Sequence, residues 1–355
     1  MQEEEAEITV EPIVFGSLTR PNEVSRDEPC QRRFHSAAVH KNMVYIFGGI
    51  PVAEPADPEN EQRTLYRYNA FGKNWSQIPT AFAGNASFSF VSGHSAAFMN
   101  NSMFLVSGRN YRTDEYLLGV WSTTIDSSNK ATWKRQDIKG YSPGPRQHAA
   151  FVAHQRSTII LYGGEHRGEV LNDCHIYRTD NKLWVAIDEY SYDMRLECRL
   201  KPGLCSLNDH LYLFGGEKSV LVQDEVQYEP LNDFHQIRLL NRPMNSRLDV
   251  WVKRIVTHYG PTPRVGSLLA ASERVLFLWG GDNGVGEDQP ARGVWAYYVS
   301  DYTWHWVRFK VATIPALGPG SSISSVGDKC FIFGQYSNPA DHTRSGLQVL
   351  NVDPK

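Results

Sequence analysis

The stretch Met43-Val44-Tyr45-Ile46-Phe47-Gly48-Gly49 decides how the rest of the chain is interpreted. Its apolar run is too short for an ordinary helix and is rich in β-branched and aromatic residues, which is typical of a strand buried on both faces. The two glycines tolerate positive φ, so they let the backbone leave the strand sharply or pass close to another strand. We therefore predict a buried strand that ends at a glycine exit.

The same pattern recurs along the chain. The further copies are 104–108, 159–164, 211–216, 275–281 and 330–335. A spacing of about 50–65 residues lies near the upper end for the blades of a β-propeller. Ser107 replaces the first glycine in the second copy, and Gln335 replaces the second glycine in the sixth copy.

Each copy has similar flanking segments. A strand-like run of small residues precedes it, as in His35-Ser36-Ala37-Ala38, and a loop of variable length and a third strand-like run follow it. A tryptophan then marks a fourth run, and these tryptophans are Trp75, Trp133, Trp184, Trp251 and either Trp304 or Trp306. The repetition predicts a chain built from four-stranded units.

A small-residue strand, an apolar strand with Gly-Gly, a third strand and a Trp-bearing strand together resemble the Kelch repeat, and the resemblance covers nearly the whole chain. It implies an all-β fold: a six-bladed Kelch β-propeller with four antiparallel strands per blade, formed as a single domain by residues 1–355. The blades are expected near 30–80, 90–139, 145–190, 199–256, 263–310 and 318–353.

The sixth repeat supplies only three strands before Lys355. The strand-like run 8–14 is therefore predicted to close the last blade from the N-terminal side. Pro12 suits this position, because proline is tolerated on an edge strand but not in a central one. Deletion of residues 1–20 is expected to lower the melting temperature strongly.

Composition narrows the classes of partner. The net charge of −3 provides no global attraction for nucleic acid or for an anionic membrane. The acidic N-terminal sequence is unlike a secretory signal, and no apolar run is long enough to span a bilayer. The five cysteines are scattered and lack a Cys-x-x-Cys pattern, which argues against a disulfide framework and a zinc site. We expect a cytoplasmic or nuclear protein without nucleic-acid or membrane partners.

Arginines recur near the predicted ends of the first two strands of the repeats. Arg33 and Arg146 each stand two residues before a histidine, and Arg264 stands two residues before Gly266. Arg109 directly follows Gly108. In Kelch proteins the loop-rich face usually binds partner peptides, and converging guanidinium groups would favour a carboxylate-bearing ligand. The predicted partner-binding residues are Arg33, Arg109, Arg146, Arg264, Tyr111, Arg112, Glu165 and His166. The alternative is a structural role, in which the arginines pair with loop acids or cap neighbouring blades.

No metal site, cofactor or catalytic residue is predicted. His35, His94 and His148 repeat in different units without a second ligand at metal-binding spacing. The glycine pairs lack the spacing of phosphate-binding loops, and the chain has no Gly-x-Ser-x-Gly nucleophile motif. The loop 217–230 mixes an apolar tripeptide, 220–222, with acids, so it either packs on the propeller or contacts a partner.

The leading functional prediction is a protein–protein interaction module, not an enzyme, that binds a peptide or protein segment on the loop face. Residues 346–355 are similar to the last propeller strand of stand-alone Kelch proteins that serve as substrate receptors of cullin-type ubiquitin ligases. No ligase-docking box, BTB or F-box segment is recognisable in the sequence. The alternatives are a propeller enzyme resembling sugar epimerases, with Glu165 and Glu217 as candidate carboxylates, and a cytoskeletal or assembly scaffold.

Overall fold

The computed structural model of the chain describes residues 13–19, 25, 27–155, 157–187, 196–240, 249–282, 293–309, 317, 320–334 and 346–352. Regular structure within these ranges is almost entirely β, with one short helix, α1 (Pro58–Gln62). The strands are β1 (Ile13–Thr19), β2 (Arg32–Arg33), β3 (Ser36–His40), β4 (Met43–Phe47), β5 (Ile50–Pro51), β6 (Thr64–Asn69), β7 (Asn74–Phe82), β8 (Val91–Met99), β9 (Ser102–Asn110), β10 (Trp121–Thr123), β11 (Ala131–Arg135), β12 (Ala150–His154), β13 (Thr158–Tyr162), β14 (Glu165–His166), β15 (Glu169–Val170), β16 (Cys174–Arg178), β17 (Leu183–Ala186), β18 (Gly203–Leu207), β19 (His210–Phe214), β20 (Glu217–Val222), β21 (Glu225–Pro230), β22 (Phe234–Leu240), β23 (Asp249–Arg254), β24 (Leu268–Ser272), β25 (Val275–Trp279), β26 (Val294–Tyr298), β27 (Thr303–Phe309), β28 (Ser322–Val326), β29 (Lys329–Phe333) and β30 (Leu347–Val352).

Most of these strands pair in antiparallel sets of four, which we call units and number in chain order. The units are β3-β4-β6-β7, β8-β9-β10-β11, β12-β13-β16-β17, β18-β19-β22-β23, β24-β25-β26-β27 and β28-β29-β30-β1. The first strands of successive units contact one another in turn, and β28 contacts β3, so the units close into a ring. This arrangement confirms an all-β Kelch β-propeller. The count of six blades and their boundaries stay predictions.

The strand that opened the sequence analysis lies between two interfaces. On one side of β4, Val44 and Ile46 pack with Phe331 of the sixth unit. On the other side, Phe47 packs with Leu105 of the second unit. Because both faces of the strand are buried, both must be apolar, which explains why the run does not alternate with polar residues. The prediction of a strand buried on both faces is confirmed.

Tryptophans fill the outer part of the same interfaces. Trp133 is fully buried, and its ring centroid lies 5.1 Å from that of Phe47 in the first unit. In the fifth unit, Trp304 is 2% exposed and belongs to the core, whereas Trp306 is only partly buried beside it. Of the two tryptophans between which the sequence did not decide, Trp304 and not Trp306 is therefore the equivalent of Trp133.

The glycine pair has the conformation that its composition predicts. Gly48 and Gly49 have φ values of 61° and 86°, and a Cβ atom on Gly49 would lie 2.7 Å from the Cβ atom of His35. Ser107, which replaces the first glycine in the second unit, has a φ of 62°. The second unit therefore keeps the glycine geometry with a residue for which left-handed backbone is unfavourable.

The N-terminal strand joins the two ends of the ring. β1 pairs antiparallel with β30, with Leu18 opposite Leu350, and parallel with β27, with Val14 opposite Val307. Residues 8–12 of the predicted strand 8–14 lie outside the described residues, and β1 continues to Thr19, beyond the predicted end. The strand passes close to both neighbours at Gly16, where a Cβ atom would lie 2.8 Å from Cγ1 of Val307.

Candidate functional site

Six residues with left-handed backbone lie just before the first strands of the units or, for Gly93, near the start of β8, and we call them the rim. They are Phe34, Gly93, His148, Lys201, Gly266 and Gly320, with φ values from 51° to 72°. Backbone N–H groups link them in sequence: Phe34 donates to Gly320, Gly93 to Phe34, His148 to Gly93, Lys201 to His148 and Gly266 to Lys201. Because the first strands form a ring, the rim surrounds its axis. It lies on the loop face, the side that carries the segments before the first strands and after the glycine pairs.

Three rim residues carry side chains. The rings of Phe34 and His148 meet edge to face with centroids 4.8 Å apart, and a Cβ atom on Gly93 between them would lie 3.0 Å from Cε1 of His148. Lys201 Nζ lies 3.9 Å from Glu217 Oε1. Left-handed backbone costs a non-glycine residue about 1–2 kcal/mol, and such strain is concentrated at functional sites. Phe34, His148 and Lys201 are therefore the best candidates for contact with a partner.

The electrostatics of the rim place a cation beside a neutral imidazole. Burial lowers the pKa of His148 to about 3, and the charges of Lys201 and Arg109 act in the same direction. Burial also raises the pKa of Glu217, while nearby Lys201 opposes the shift and Asp282 adds to it. At neutral pH the imidazole of His148 therefore presents an uncharged ring next to the ammonium group of Lys201.

A buried arginine lies two residues before the rim residue in four units, and we call these residues anchor arginines. They are Arg32, Arg146, Arg199 and Arg264, each at most 2% exposed. In every case Nη1 donates to the carbonyl oxygen of the first glycine of the same unit, at 2.9–3.1 Å; these glycines are Gly48, Gly163, Gly215 and Gly280. The guanidinium groups therefore satisfy carbonyls at the strand exits, inside the protein.

Carboxylates pair with the anchors Arg32, Arg146 and Arg199. Arg199 makes a bidentate pair with Asp233, with both N–O distances at 2.7 Å, and Arg146 pairs in the same way with Asp173. Arg32 is paired with Glu61. Burial alone would raise the pKa of Asp233, but hydrogen bonds and charge from Arg199 outweigh it and hold the pKa below its ordinary value.

These contacts correct part of the predicted site. The guanidinium groups of Arg146 and Arg264 are buried among carbonyls of their own units, so they do not converge on a ligand. The alternative structural role fits both residues. Arg33, by contrast, is exposed, and its guanidinium carbon lies 6.0 Å from the centre of the Phe34 ring at the rim.

The remaining predicted residues of the second unit follow Gly108, with Arg109 at the end of β9 and Tyr111 and Arg112 in the turn after it. Arg109 forms an ion pair with Asp114, and Arg112 lies 3.7 Å above the ring centre of Phe90. The hydroxyl group of Tyr111 accepts a hydrogen bond from Gln62 of the first unit at 3.1 Å. These side chains are partly exposed and hold the loop against its neighbour.

Glu165 and His166 form the start of a small hairpin, β14–β15, in the third unit. Glu165 accepts hydrogen bonds from the side chain of Gln147 and from the backbone of Gly168, at 2.9 and 3.0 Å. The His166 ring packs against Tyr116 of the second unit, with centroids 4.8 Å apart. The structure therefore places both residues on the loop face, where their partner-binding role stays a prediction.

Arg199 and the rim were missed by the sequence reasoning. The prediction matched Arg33 with Arg146 because both precede a histidine by two residues. In the structure His148 is a rim residue equivalent to Phe34, whereas His35 follows the rim. The separation between anchor and glycine is a better signal, since it is 16 residues for Arg32, Arg199 and Arg264 and 17 for Arg146.

Membrane-spanning helices and metal-binding clusters are both absent from the described ranges. No helix there has the length and apolar character needed to cross a bilayer. No group of three or more histidine, cysteine, aspartate or glutamate side chains in those ranges has the arrangement of a metal site.

Comparison with known proteins agrees with the fold. The sequence model of the KLHDC2/KLHL20/DRC7 Kelch-repeats domain matches residues 17–216. Acyl-CoA-binding domain-containing protein 4 of Arabidopsis thaliana is 22% identical over 337 residues, which cover 91% of this chain and 46% of that protein. Kelch domain-containing protein 3 of Bos taurus is 27% identical over 190 residues, or 51% of this chain and 47% of that protein.

The Leucine-zipper-like transcriptional regulator 1 homolog of Drosophila melanogaster is 23% identical over 209 residues, which cover 53% of this chain and 19% of that protein. The chain thus spans less than half the length of each of these relatives. The family model matches more than half of the 355 residues. The chain therefore belongs to the Kelch-repeat family.

Proposed function

We propose that the chain binds a segment of a partner protein on the loop face, with Phe34, His148 and Lys201 in contact with that segment. Kelch-repeat proteins generally act as interaction modules and not as enzymes, and the homologues support this general role. The observation that supports the rim most strongly is that three side chains occupy positions where the backbone favours glycine.

The chemistry of the rim suggests a mainly apolar and aromatic contact. Phe34 and the uncharged His148 ring offer an aromatic edge, and Lys201 offers a cation at its border. The carboxylate-bearing ligand predicted from the sequence would meet Lys201, Arg109 and Arg33 here. Because Lys201 and Arg109 each already face a carboxylate of this chain, we propose that they make a smaller contribution than the aromatic pair.

Glycine substitutions provide a test that separates binding from folding. The rim variant replaces Phe34, His148 and Lys201 with glycine, which removes the side chains and suits the left-handed backbone. The matched control replaces Lys41, Asn100 and Asn208 with glycine. These exposed residues also have positive φ, but they lie in the turns at the opposite ends of the first strands.

Affinity capture from cell extract should recover the same proteins with the wild type and with the control variant. The rim variant should lose them while its melting temperature stays within a few degrees of the wild type. Identical sets of captured proteins for all three forms would show that the rim does not bind the partner. Peptides that differ only by Glu or Gln at one position would test the carboxylate preference.

Three more specific roles, a ubiquitin-ligase receptor, a sugar epimerase and a scaffold, are proposals that further measurements separate. Retention of a cullin together with the captured proteins would support a substrate-receptor role in a ubiquitin ligase. Turnover of a sugar substrate would favour the epimerase-like alternative, and co-sedimentation with filaments would favour the scaffold. A location in the cytoplasm or nucleus is likewise a prediction from the sequence, checked by microscopy of the tagged chain.

A further inference from the structure

A second surface on the loop face lies beside the rim. β20 and β21 form a hairpin whose turn residues, Gln223 and Asp224, both have positive φ. The pairing places Leu221 opposite Val226 and Ser219 opposite Tyr228. Because side chains alternate across a strand, Leu221, Val226 and Tyr228 project from the same face of the hairpin.

This face is apolar and open to water. Leu221 is 70% exposed, Val226 57% and Tyr228 46%. Val222, at 40%, lies on the opposite face. A cross-strand pair of apolar residues stiffens a hairpin even when exposed, but that role would be served almost as well by threonine. Three adjacent apolar side chains gain most by being covered by another molecule.

The apolar face is continuous with the rim. Glu217 belongs to the same face, because it is separated from Ser219 and Leu221 by even numbers of residues. Its carboxylate is the one that lies 3.9 Å from Lys201 Nζ. The Tyr228 hydroxyl group also donates to the carbonyl oxygen of Gly168, in the turn of the neighbouring hairpin β14–β15. A segment that crosses the rim can therefore continue onto this face.

The two hairpins carry an excess of negative charge. Their carboxylates are Glu165, Glu169, Glu217, Asp224, Glu225 and Glu229, against one lysine, Lys218, and one arginine, Arg167. Among the described residues, Glu169, Asp224 and Glu225 are exposed and have no cation within ion-pair distance. Clustered charges of one sign attract a partner of the opposite sign and reject one of the same sign.

We propose that the partner segment bound at the rim carries an apolar side chain flanked by lysine or arginine, and that this part docks on Leu221, Val226 and Tyr228. The apolar side chain covers the exposed face, and the flanking cations lie beside the carboxylates of the two hairpins. This inference rests on the proposed binding of a protein segment at the rim, and it names the chemistry of that segment.

Selection of phage-displayed random 12-residue peptides on the full chain provides the probe. The enriched peptides should place Leu, Ile, Phe or Trp within two positions of Lys or Arg. An enriched peptide, synthesised with a fluorescent label, should bind the Leu221→Thr/Val226→Thr variant about tenfold more weakly than the wild type, as measured by fluorescence polarisation. Val222→Thr, on the opposite face, is the matched control and should bind within about twofold of the wild type.

A second variant avoids any change in the apolar face. Glu169→Gln/Asp224→Asn, which changes an exposed carboxylate of the neighbouring hairpin and one in the β20–β21 turn, should weaken the same peptide, and the loss should shrink as the salt concentration rises, because exposed charges are screened. Enrichment of acidic peptides would overturn the proposal. Peptides that bind both hairpin variants like the wild type but fail to bind the rim variant would also overturn it, while leaving the rim as the binding site. A selection without any binding peptide would contradict the proposed function as well.

Discussion

The anchor arginines and the rim residues are two positions apart in the chain, yet the two positions obey opposite rules. At the anchor position the same guanidinium group makes the same hydrogen bond to a glycine carbonyl in four units. At the rim position the backbone is always left-handed, but the side chain is Phe, His, Lys or none. The fold therefore requires a guanidinium group at the anchor position but only a left-handed backbone at the rim position. The side chain at the rim position can vary with the ligand.

Replacement of an anchor should have the largest effect on stability. Arg199→Met would leave the Asp233 side chain, which is 13% exposed, without its bidentate partner and the Gly215 carbonyl without its donor. Loss of one member of a buried ion pair costs about 3–5 kcal/mol. Urea unfolding followed by tryptophan fluorescence should show a lower midpoint with an unchanged slope.

The matched control is Arg238→Met, because Arg238 is an exposed arginine of the same unit. It should change the free energy of unfolding by about 0.5 kcal/mol or less. Addition of Asp233→Asn to Arg199→Met should restore part of the loss, since it removes the unpaired charge. If Arg199→Met is no more destabilising than Arg238→Met, the anchor does not support the fold.

Acidification should reveal the half-buried rim histidine. His148 has a pKa of about 3 in the folded chain because of burial and the neighbouring cations Lys201 and Arg109. The unfolded chain takes up the proton near pH 6.5, whereas the folded chain does so only near pH 3, so stability falls as the pH drops through this window. Between pH 6.5 and 5 this one residue should account for about 1.5 kcal/mol of lost stability.

The measurement compares the free energy of unfolding at pH 7.5 and pH 5 for the wild type and His148→Gly. The variant should lose less stability on acidification, although His35 and His94, whose pKa values burial also lowers to about 3, keep part of the slope. His258→Gly changes an exposed histidine and should follow the wild-type curve. Equal losses for the wild type and His148→Gly would contradict an uncharged His148 in the folded chain.

The fold was predictable where local composition and burial coincide. The run at 43–47 is apolar on both faces because it packs between two units, and its repeats revealed the propeller. The N-terminal strand was less accessible to sequence reasoning, because its position depends on non-local packing. Gly16, where β1 passes Val307, lies beyond the run 8–14 that has the strand-like composition.

The candidate site was harder to predict because its organisation is carried by backbone conformation. Phe34 is left-handed although Phe disfavours that conformation, and its N–H donates to Gly320, far away in the sequence. No local pattern signals such a residue. The anchor arginines could have been predicted from the sequence. A separation of 16 or 17 residues from the first glycine of the same unit identifies Arg199 and distinguishes Arg32 from Arg33.

The second unit has the left-handed rim backbone, at Gly93, without an anchor arginine, because Val91 stands at the anchor position. It therefore shows how a unit behaves when only one of the two positions follows the pattern. Ser107, its counterpart of the first glycine, has the same positive φ as Gly48 and Gly163. Ser107→Gly should therefore stabilise the chain by about 0.5–1 kcal/mol, because relief of the left-handed strain exceeds the entropy that glycine adds to the unfolded state. Ser102→Gly in the same strand lacks positive φ and should instead destabilise by about 0.5–1 kcal/mol. Urea unfolding of both variants shows whether each substitution raises or lowers the free energy of unfolding. A loss of stability in both variants would mean that contacts of the Ser107 side chain contribute more than its left-handed backbone costs.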